Sequence, residues 1–135
     1  MKKPVASNAA FHREVKKWSK WLGTTHPWSF AIVVGDGSVP AHGEDSEVYA
    51  CCEPSPNYYF ARLHFDPYHS GWETKEKGEI GPCVRHEMIH ALISPLTMYA
   101  YSLARGNKDV ERALNDLEEQ VTTTLETMPV WDLVE

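Results

Sequence analysis

The residues best suited to chemistry in this sequence form the string His86-Glu87-Met88-Ile89-His90. In an α-helix, positions i and i+4 are about 40° apart around the axis, so both imidazoles project from one face, where a single metal ion can bridge them. Glu87 is rotated by about 100° from His86 and would flank the metal without binding it. A carboxylate there can take a proton from a zinc-bound water and later deliver it to a leaving amine. The spacing therefore predicts a zinc site with Glu87 as its general base.

The sequence around this string predicts the helix that the spacing requires. Pro82 suits the first turn of a helix, because the amide hydrogen that it lacks has no partner there. The helix is predicted to run to about Ser94. Pro95 then breaks or kinks it, because proline cannot donate to the carbonyl of Ala91. A further helical stretch is expected to end at Gly106.

The rest of the chain predicts a single α+β domain over residues 1–135. Apolar residues at helical spacing favour an N-terminal helix with a buried stripe of Phe11, Val15, Trp18 and Leu22. Short apolar or alternating runs predict about three strands in a small mixed or antiparallel sheet. The expected elements are helix 7–22 with Ser7 as its N-cap, strands 28–34, 47–52 and 58–65, a polar loop at 66–81, and a last helix at 108–128 capped by Asn107.

Composition and charge limit the classes of function. The chain is 42% hydrophobic and 24% charged, as is usual for a globular protein, and its net charge of −6 disfavours sequence-independent binding to nucleic acid. The longest apolar run, at 30–34, is too short to span a membrane. Three cysteines make a disulfide framework improbable, and residues 1–21 have no continuous apolar segment, so a cytoplasmic location is expected. The six cations in 1–21 suggest a docking helix, but the apolar stripe favours ordinary core packing.

At this point the chain resembles the zincin metallopeptidases, and most closely the minimal gluzincin-like domains that occur as small stand-alone proteins in phages and bacteria. The resemblance rests on the strand at 58–65, the string VRHEMIHALI at 84–93 and the string EEQV at 118–121. It implies a peptide or protein substrate and zinc as the cofactor. It also implies that strand 58–65 forms the upper edge of the cleft and holds an extended substrate by backbone pairing.

A third protein ligand is needed, since catalytic zinc usually has three protein ligands and a water. All seven histidines lie at or before position 90, so a downstream carboxylate must complete the site. By resemblance this is the gluzincin arrangement, and we predict Glu118. It lies about 70° from the centre of the apolar stripe of the last helix, whereas Glu119 lies about 170° away and is expected in solvent. Glu111 is the main rival, although a first-turn acid also interacts favourably with the helix dipole. The full set of candidates comprises Glu111, Glu118, Glu119 and Glu126.

The leading hypothesis is a zinc-dependent metallopeptidase that hydrolyses peptide bonds by attack of water. The alternative from another class is a catalytically inactive zinc-binding interaction module, for example a phage accessory protein that retains the fold. Glu87 favours catalysis, because a structural zinc site has no use for a carboxylate next to its ligand. A third hypothesis, docking on a membrane or nucleic acid through the first helix, is disfavoured by the net charge. The sequence leaves the substrate and the oligomeric state open.

Overall fold

A computed structural model describes residues 6–23, 27–34, 50–67 and 80–128 of the chain. The described residues form an α+β fold, which confirms the predicted class. In chain order, the elements are α1 (Asn8–Gly23), β1 (Ser29–Val34), β2 (Ala50–Ser55), a 3₁₀ turn (Pro56–Tyr58), β3 (Phe60–Phe65), α2 (Ile80–Ala104) and α3 (Lys108–Glu126). No helix within these ranges is long and apolar enough to cross a membrane.

The three strands form one sheet in the order β1-β3-β2. β3 pairs in parallel with β1 and antiparallel with β2, so both of its edges are already hydrogen-bonded. The expectation that strand 58–65 offers an open edge to a substrate is therefore wrong. Among the described strands, the free edges belong to β1 and β2.

The core lies between one face of this sheet and the helices α1 and α2. Leu63 and Phe65 of β3 are fully buried, and the ring of Phe65 stacks on that of Phe11 with centroids 4.6 Å apart. Val15 and Trp18 are also buried, which confirms the predicted stripe of α1 as far as Trp18. The side chain of Leu22 lies outside the described residues. The Ser7 hydroxyl accepts from the amide of Ala10, 3.1 Å away, and so caps α1 as predicted.

β2 extends three residues past the end of the predicted strand at 47–52, and it includes Pro54. The first three residues of the predicted strand lie outside the described residues. A proline cannot donate a ladder hydrogen bond, which is why it was expected to end the strand. It is tolerated because β2 is an edge of the described sheet, where one row of backbone donors pairs with no described strand. Cys51 and Cys52 alternate as predicted: Cys52 packs against the core and Cys51 pairs with His64 on the other face.

Pro95 does not break α2, which is a continuous 25-residue helix. The carbonyl of Ala91 would normally accept from the amide of residue 95, and proline removes that donor. The hydroxyl of Ser94 replaces it, because its oxygen donates to the Ala91 carbonyl oxygen at 2.6 Å. Ser94 and Ala91 are both buried, so this carbonyl depends on a partner within the protein.

α3 packs against α2 with a face different from the one that its sequence predicts. Several apolar residues expected to be buried are exposed, namely Val110, Leu117, Val121 and Met128. The fully buried residue of α3 is Thr122, and Leu114 and Leu125 are half-buried. The helix is therefore turned so that a partly polar face meets α2, and this face carries the glutamates considered above.

The Ser94 hydroxyl gives a direct test of how α2 accommodates Pro95. We expect Ser94→Ala to lower the free energy of unfolding by about 1–3 kcal/mol, because the buried Ala91 carbonyl loses its donor. Ser102→Ala is the matched control: its hydroxyl also donates to a carbonyl three residues earlier at 2.6 Å, but in an exposed turn where a normal amide donor remains. Urea denaturation should show little change for the control. The cost of Ser94→Ala should shrink in a Pro95→Ala background, and an equal cost there would contradict this explanation.

Candidate metal centre

The two histidines of the H-E-x-x-H string lie on one face of α2, as the helical spacing predicts. Their rings are 4.8 Å apart between centroids and inclined by 75°. The Nε2 atoms face each other at 3.2 Å. His86 and His90 are both partly buried, between α2 and the facing side of α3. The predicted pair is therefore brought together with one nitrogen of each ring pointing to a common centre.

Glu119 of α3 completes this centre. One of its carboxylate oxygens lies 3.1 Å from Nε2 of His90, and the other lies 3.3 Å from Nε2 of His86. The expectation that Glu119 points away into solvent is wrong. It assumed that the apolar residues of α3 define the inward face, whereas that stripe is largely exposed and the helix is rotated. His86, His90 and Glu119 form a group that could hold a metal ion.

Glu118, the predicted third ligand, also contacts a histidine, but it does so at Nδ1 and not at Nε2. Its Oε2 lies 3.1 Å from Nδ1 of His90, and Glu126 Oε2 lies 3.0 Å from Nδ1 of His86. Glu118 is thus on the inward side of α3 as predicted, yet it contacts the nitrogen that faces away from the common centre. The rival Glu111 pairs with Lys108 at 3.1 Å in the first turn of α3, where a carboxylate also interacts favourably with the helix dipole.

The protonation of the imidazoles decides whether this arrangement fits a metal ion. When Nδ1 of each ring donates to its carboxylate, Nε2 of a neutral imidazole carries a lone pair. Two such lone pairs then meet the Glu119 carboxylate within 3.3 Å, and these groups repel one another without a cation between them. Either bound protons or a metal ion can supply that positive charge. The donor set of two nitrogens and one oxygen is one that zinc accepts.

In the metal-free protein, protons supply the charge. Burial alone lowers the pKa of His90, but hydrogen bonds to Glu118 and Glu119 outweigh it and raise the pKa to about 10. His86 shows the same balance: burial lowers its pKa, whereas the hydrogen bond to Glu119 and the charges of Glu87 and Glu126 raise it above the usual value. Hydrogen bonds from the two imidazoles hold the pKa of Glu119 well below its usual range.

Glu87 lies next to the histidines and close to β2. Burial raises the pKa of its carboxyl, an effect that the positive charges of His90 and His86 oppose and the negative charges of Glu119 and Glu126 reinforce. Burial, followed by the charge of Glu87, raises the pKa of Cys51 to about 12 and that of Cys52 further, so neither thiol is a ready nucleophile. The raised pKa makes the Glu87 carboxylate a stronger proton acceptor than an ordinary exposed one.

Two features of this region were missed by sequence reasoning. Glu119 and Glu126 are seven residues apart, so they share one face of α3 in the way that His86 and His90 share one face of α2. That polar periodicity is a signal in the sequence for the inward face of α3, and it conflicts with the apolar stripe. The other feature is a contact between Nε2 of His64 and Oε1 of Glu53, on the sheet face opposite the core.

The histidine pKa shifts predict a pH dependence for the metal-free protein. The raised pKa of His90 means that its contacts stabilise the fold fully below about pH 6.5 and lose this effect as the pH rises towards 10. The lowered pKa of Glu119 means that its contribution is present above about pH 4.5 and lost as the pH falls further. With chelator present, we expect the free energy of unfolding to be highest between these limits and to fall by about 1 kcal/mol or more between pH 6.5 and 8.5. Urea denaturation checks this, and His90→Gln should remove most of the decline.

The comparisons with known proteins found no match. No protein-family model matches the chain, and no curated protein or solved structure was found to match it. The interpretation of the histidine and glutamate cluster therefore depends on its geometry and its chemistry.

Proposed function

We propose that the protein is a zinc-dependent metallopeptidase with a zincin-like fold. One observation carries the proposal: two Nε2 atoms and a carboxylate converge within 3.1–3.3 Å, next to the acid of an H-E-x-x-H helix. An ordinary ion-pair cluster does not require the Nε2 atoms of two rings to face each other at 3.2 Å. A tetrahedral zinc site does, because its ligand atoms surround one point.

His86, His90 and Glu119 are the proposed protein ligands. Zinc binds imidazole nitrogen at about 2.0–2.1 Å, which sets neighbouring tetrahedral ligand atoms roughly 3.3 Å apart. The two Nε2 atoms lie 3.2 Å apart, which agrees with that spacing. The two Glu119 oxygens lie 3.1 and 3.3 Å from one Nε2 each, and one ligand atom from each of the three residues lies within 4.8 Å of the others. Glu119 thereby replaces Glu118 as our proposed third ligand. When bound, zinc would polarise a substrate carbonyl and lower the pKa of a bound water to about 7.

Glu87 is the proposed general base. Its carboxylate oxygen would accept the proton of the attacking water and then donate it to the leaving amine nitrogen. Its burial supports this role, since the raised pKa brings the carboxyl closer to the pH at which a proton must be both taken and returned. The positive charges of His90 and His86 favour the ionised carboxylate, and so they limit the rise in the pKa of Glu87.

The proposed substrate is an extended peptide, and β2 is the strand that supports this. β2 is an edge of the described sheet, it packs against α2, and the charge of Glu87 acts on both of its cysteines. An extended chain pairing with this edge would run past the general base. β2 therefore takes the role that the sequence suggested for strand 58–65, whose two edges are already paired.

Metal binding is the first test of the proposal. We expect purified protein to bind one zinc ion per chain, His90→Ala to abolish binding, and Glu119→Ala to weaken it at least tenfold, because each removes a proposed ligand. Glu111→Ala is the matched control, since it removes a glutamate of the same helix that pairs with Lys108. Zinc content and affinity can be measured by metal analysis and competition with a chromophoric chelator. Stoichiometric zinc in His90→Ala would refute the site.

Hydrolysis is the second test. Glu87→Gln should retain zinc and the fold but lose peptidase activity by at least a hundredfold, because an amide cannot accept the proton from water. The measurement is cleavage of a random peptide mixture, followed by mass spectrometry, with and without chelator. A zinc-loaded wild-type protein that cleaves no peptide in the mixture would favour the non-catalytic zinc-binding module. Wild-type turnover in Glu87→Gln would exclude Glu87 as the base.

A further inference from the structure

We propose that Glu118 and Glu126 are positioning residues, which fix the orientation and tautomer of the two histidines so that both Nε2 atoms face the metal. The inference rests on the proposed function, because it assumes that His86 and His90 bind an ion. It assigns a role to two carboxylates that are not ligands themselves.

The contacts of the three α3 glutamates that meet the histidines separate them into two kinds. Glu119 meets Nε2 of both rings, and half of its side chain is exposed. Glu118 and Glu126 each meet one Nδ1, at 3.1 and 3.0 Å, and each side chain is only 19% exposed. The two more buried carboxylates therefore contact the Nδ1 atoms, which face away from the common centre. The more exposed carboxylate contacts the Nε2 atoms, which face it.

A carboxylate at Nδ1 determines which ring nitrogen is free. The hydrogen bond places the proton on Nδ1, which leaves the Nε2 lone pair available to a metal ion. It also limits rotation of the ring and raises the basicity of the ligating nitrogen. Both rings are held in this way, so the pair of Nε2 atoms is fixed before any ion binds.

Thr122 explains how a single helix can supply all three carboxylates. It is fully buried, and it lies three or four residues from Glu118, Glu119 and Glu126 on the same side of α3. Its burial fixes the rotation of α3 against α2, which sets the ligand and both positioning carboxylates together. The exposure of Leu117 and Val121 shows that these two apolar residues do not set this rotation.

The competing explanation is that Glu118 and Glu126 only form ion pairs that hold the two helices together. An ion pair needs a protonated imidazolium, whereas a positioning contact acts on a neutral ring that binds metal through Nε2. The two roles therefore differ in the metal-loaded protein, where the ion-pair explanation assigns the carboxylates no effect on the coordination of the metal.

Glu118→Gln and Glu126→Gln test the inference, with Glu111→Gln as the matched control on the same helix. Glutamine keeps the size of the side chain and removes its charge. We expect each of the first two variants to weaken zinc binding by about 10–100-fold, measured by chelator competition, and the control to stay within about twofold. The cobalt-substituted protein should show a changed d–d absorption spectrum in the two variants. Long-range ¹H–¹⁵N spectra of the zinc-loaded wild type should show a protonated Nδ1 in both rings.

The outcomes separate this inference from the proposed function. Wild-type protein that binds no zinc would overturn both. Zinc binding by the wild type with unchanged affinity and cobalt spectrum in both variants would overturn the positioning role alone. A complete loss of binding in Glu118→Gln, with binding retained in Glu119→Gln, would make Glu118 the ligand and also overturn it. If one variant does not fold, the other decides, because the two carboxylates act on different rings and lie two turns apart.

Discussion

The mutual repulsion of three electron-pair donors is the constraint on which the structure depends. The Nε2 atoms of His86 and His90 and the carboxylate of Glu119 lie within 3.3 Å of one another, in a partly buried position. Such groups approach only when positive charge lies among them, either as protons or as a metal ion. The elements that bring them together are α2 and α3, which are joined by a three-residue turn. Charged side chains therefore make an important part of the contact between these two helices.

This constraint explains why the apolar residues of α3 predicted the wrong rotation. A helical stripe usually marks the buried face, and that reasoning placed Glu119 in solvent. In the structure, Thr122 is buried and Leu117 and Val121 are exposed, because the carboxylates must reach the rings of α2. Glu118 was correctly expected on the inward side. The pairing of each carboxylate with Nδ1 or Nε2 depends on the rotation of α3 about its own axis, which hydropathy does not encode.

Other parts of the fold were predictable to the extent that they depend on local sequence. The buried stripe from Phe11 to Trp18 and the caps at Ser7 and Asn107 were predicted correctly, since neighbouring residues decide them. The central position of β3 was not, because strand order depends on contacts between distant segments. The prediction that Pro95 breaks α2 is wrong for a different reason. It considers only the backbone donor that proline lacks, whereas the side-chain hydroxyl of Ser94 replaces that donor.

The continuity of α2 has a practical consequence for handling the protein. A helix of 25 residues extends about 37 Å, whereas strands of six residues span roughly 20 Å, so α2 is longer than the described strands. The turn at its end has Gly106 at a φ of 79°, with open space around its Cα. This turn begins roughly 20 Å along the helix from His90. A fluorophore, an affinity tag or a surface linker attached there would be remote from the histidines, and it would leave the edge of the sheet accessible.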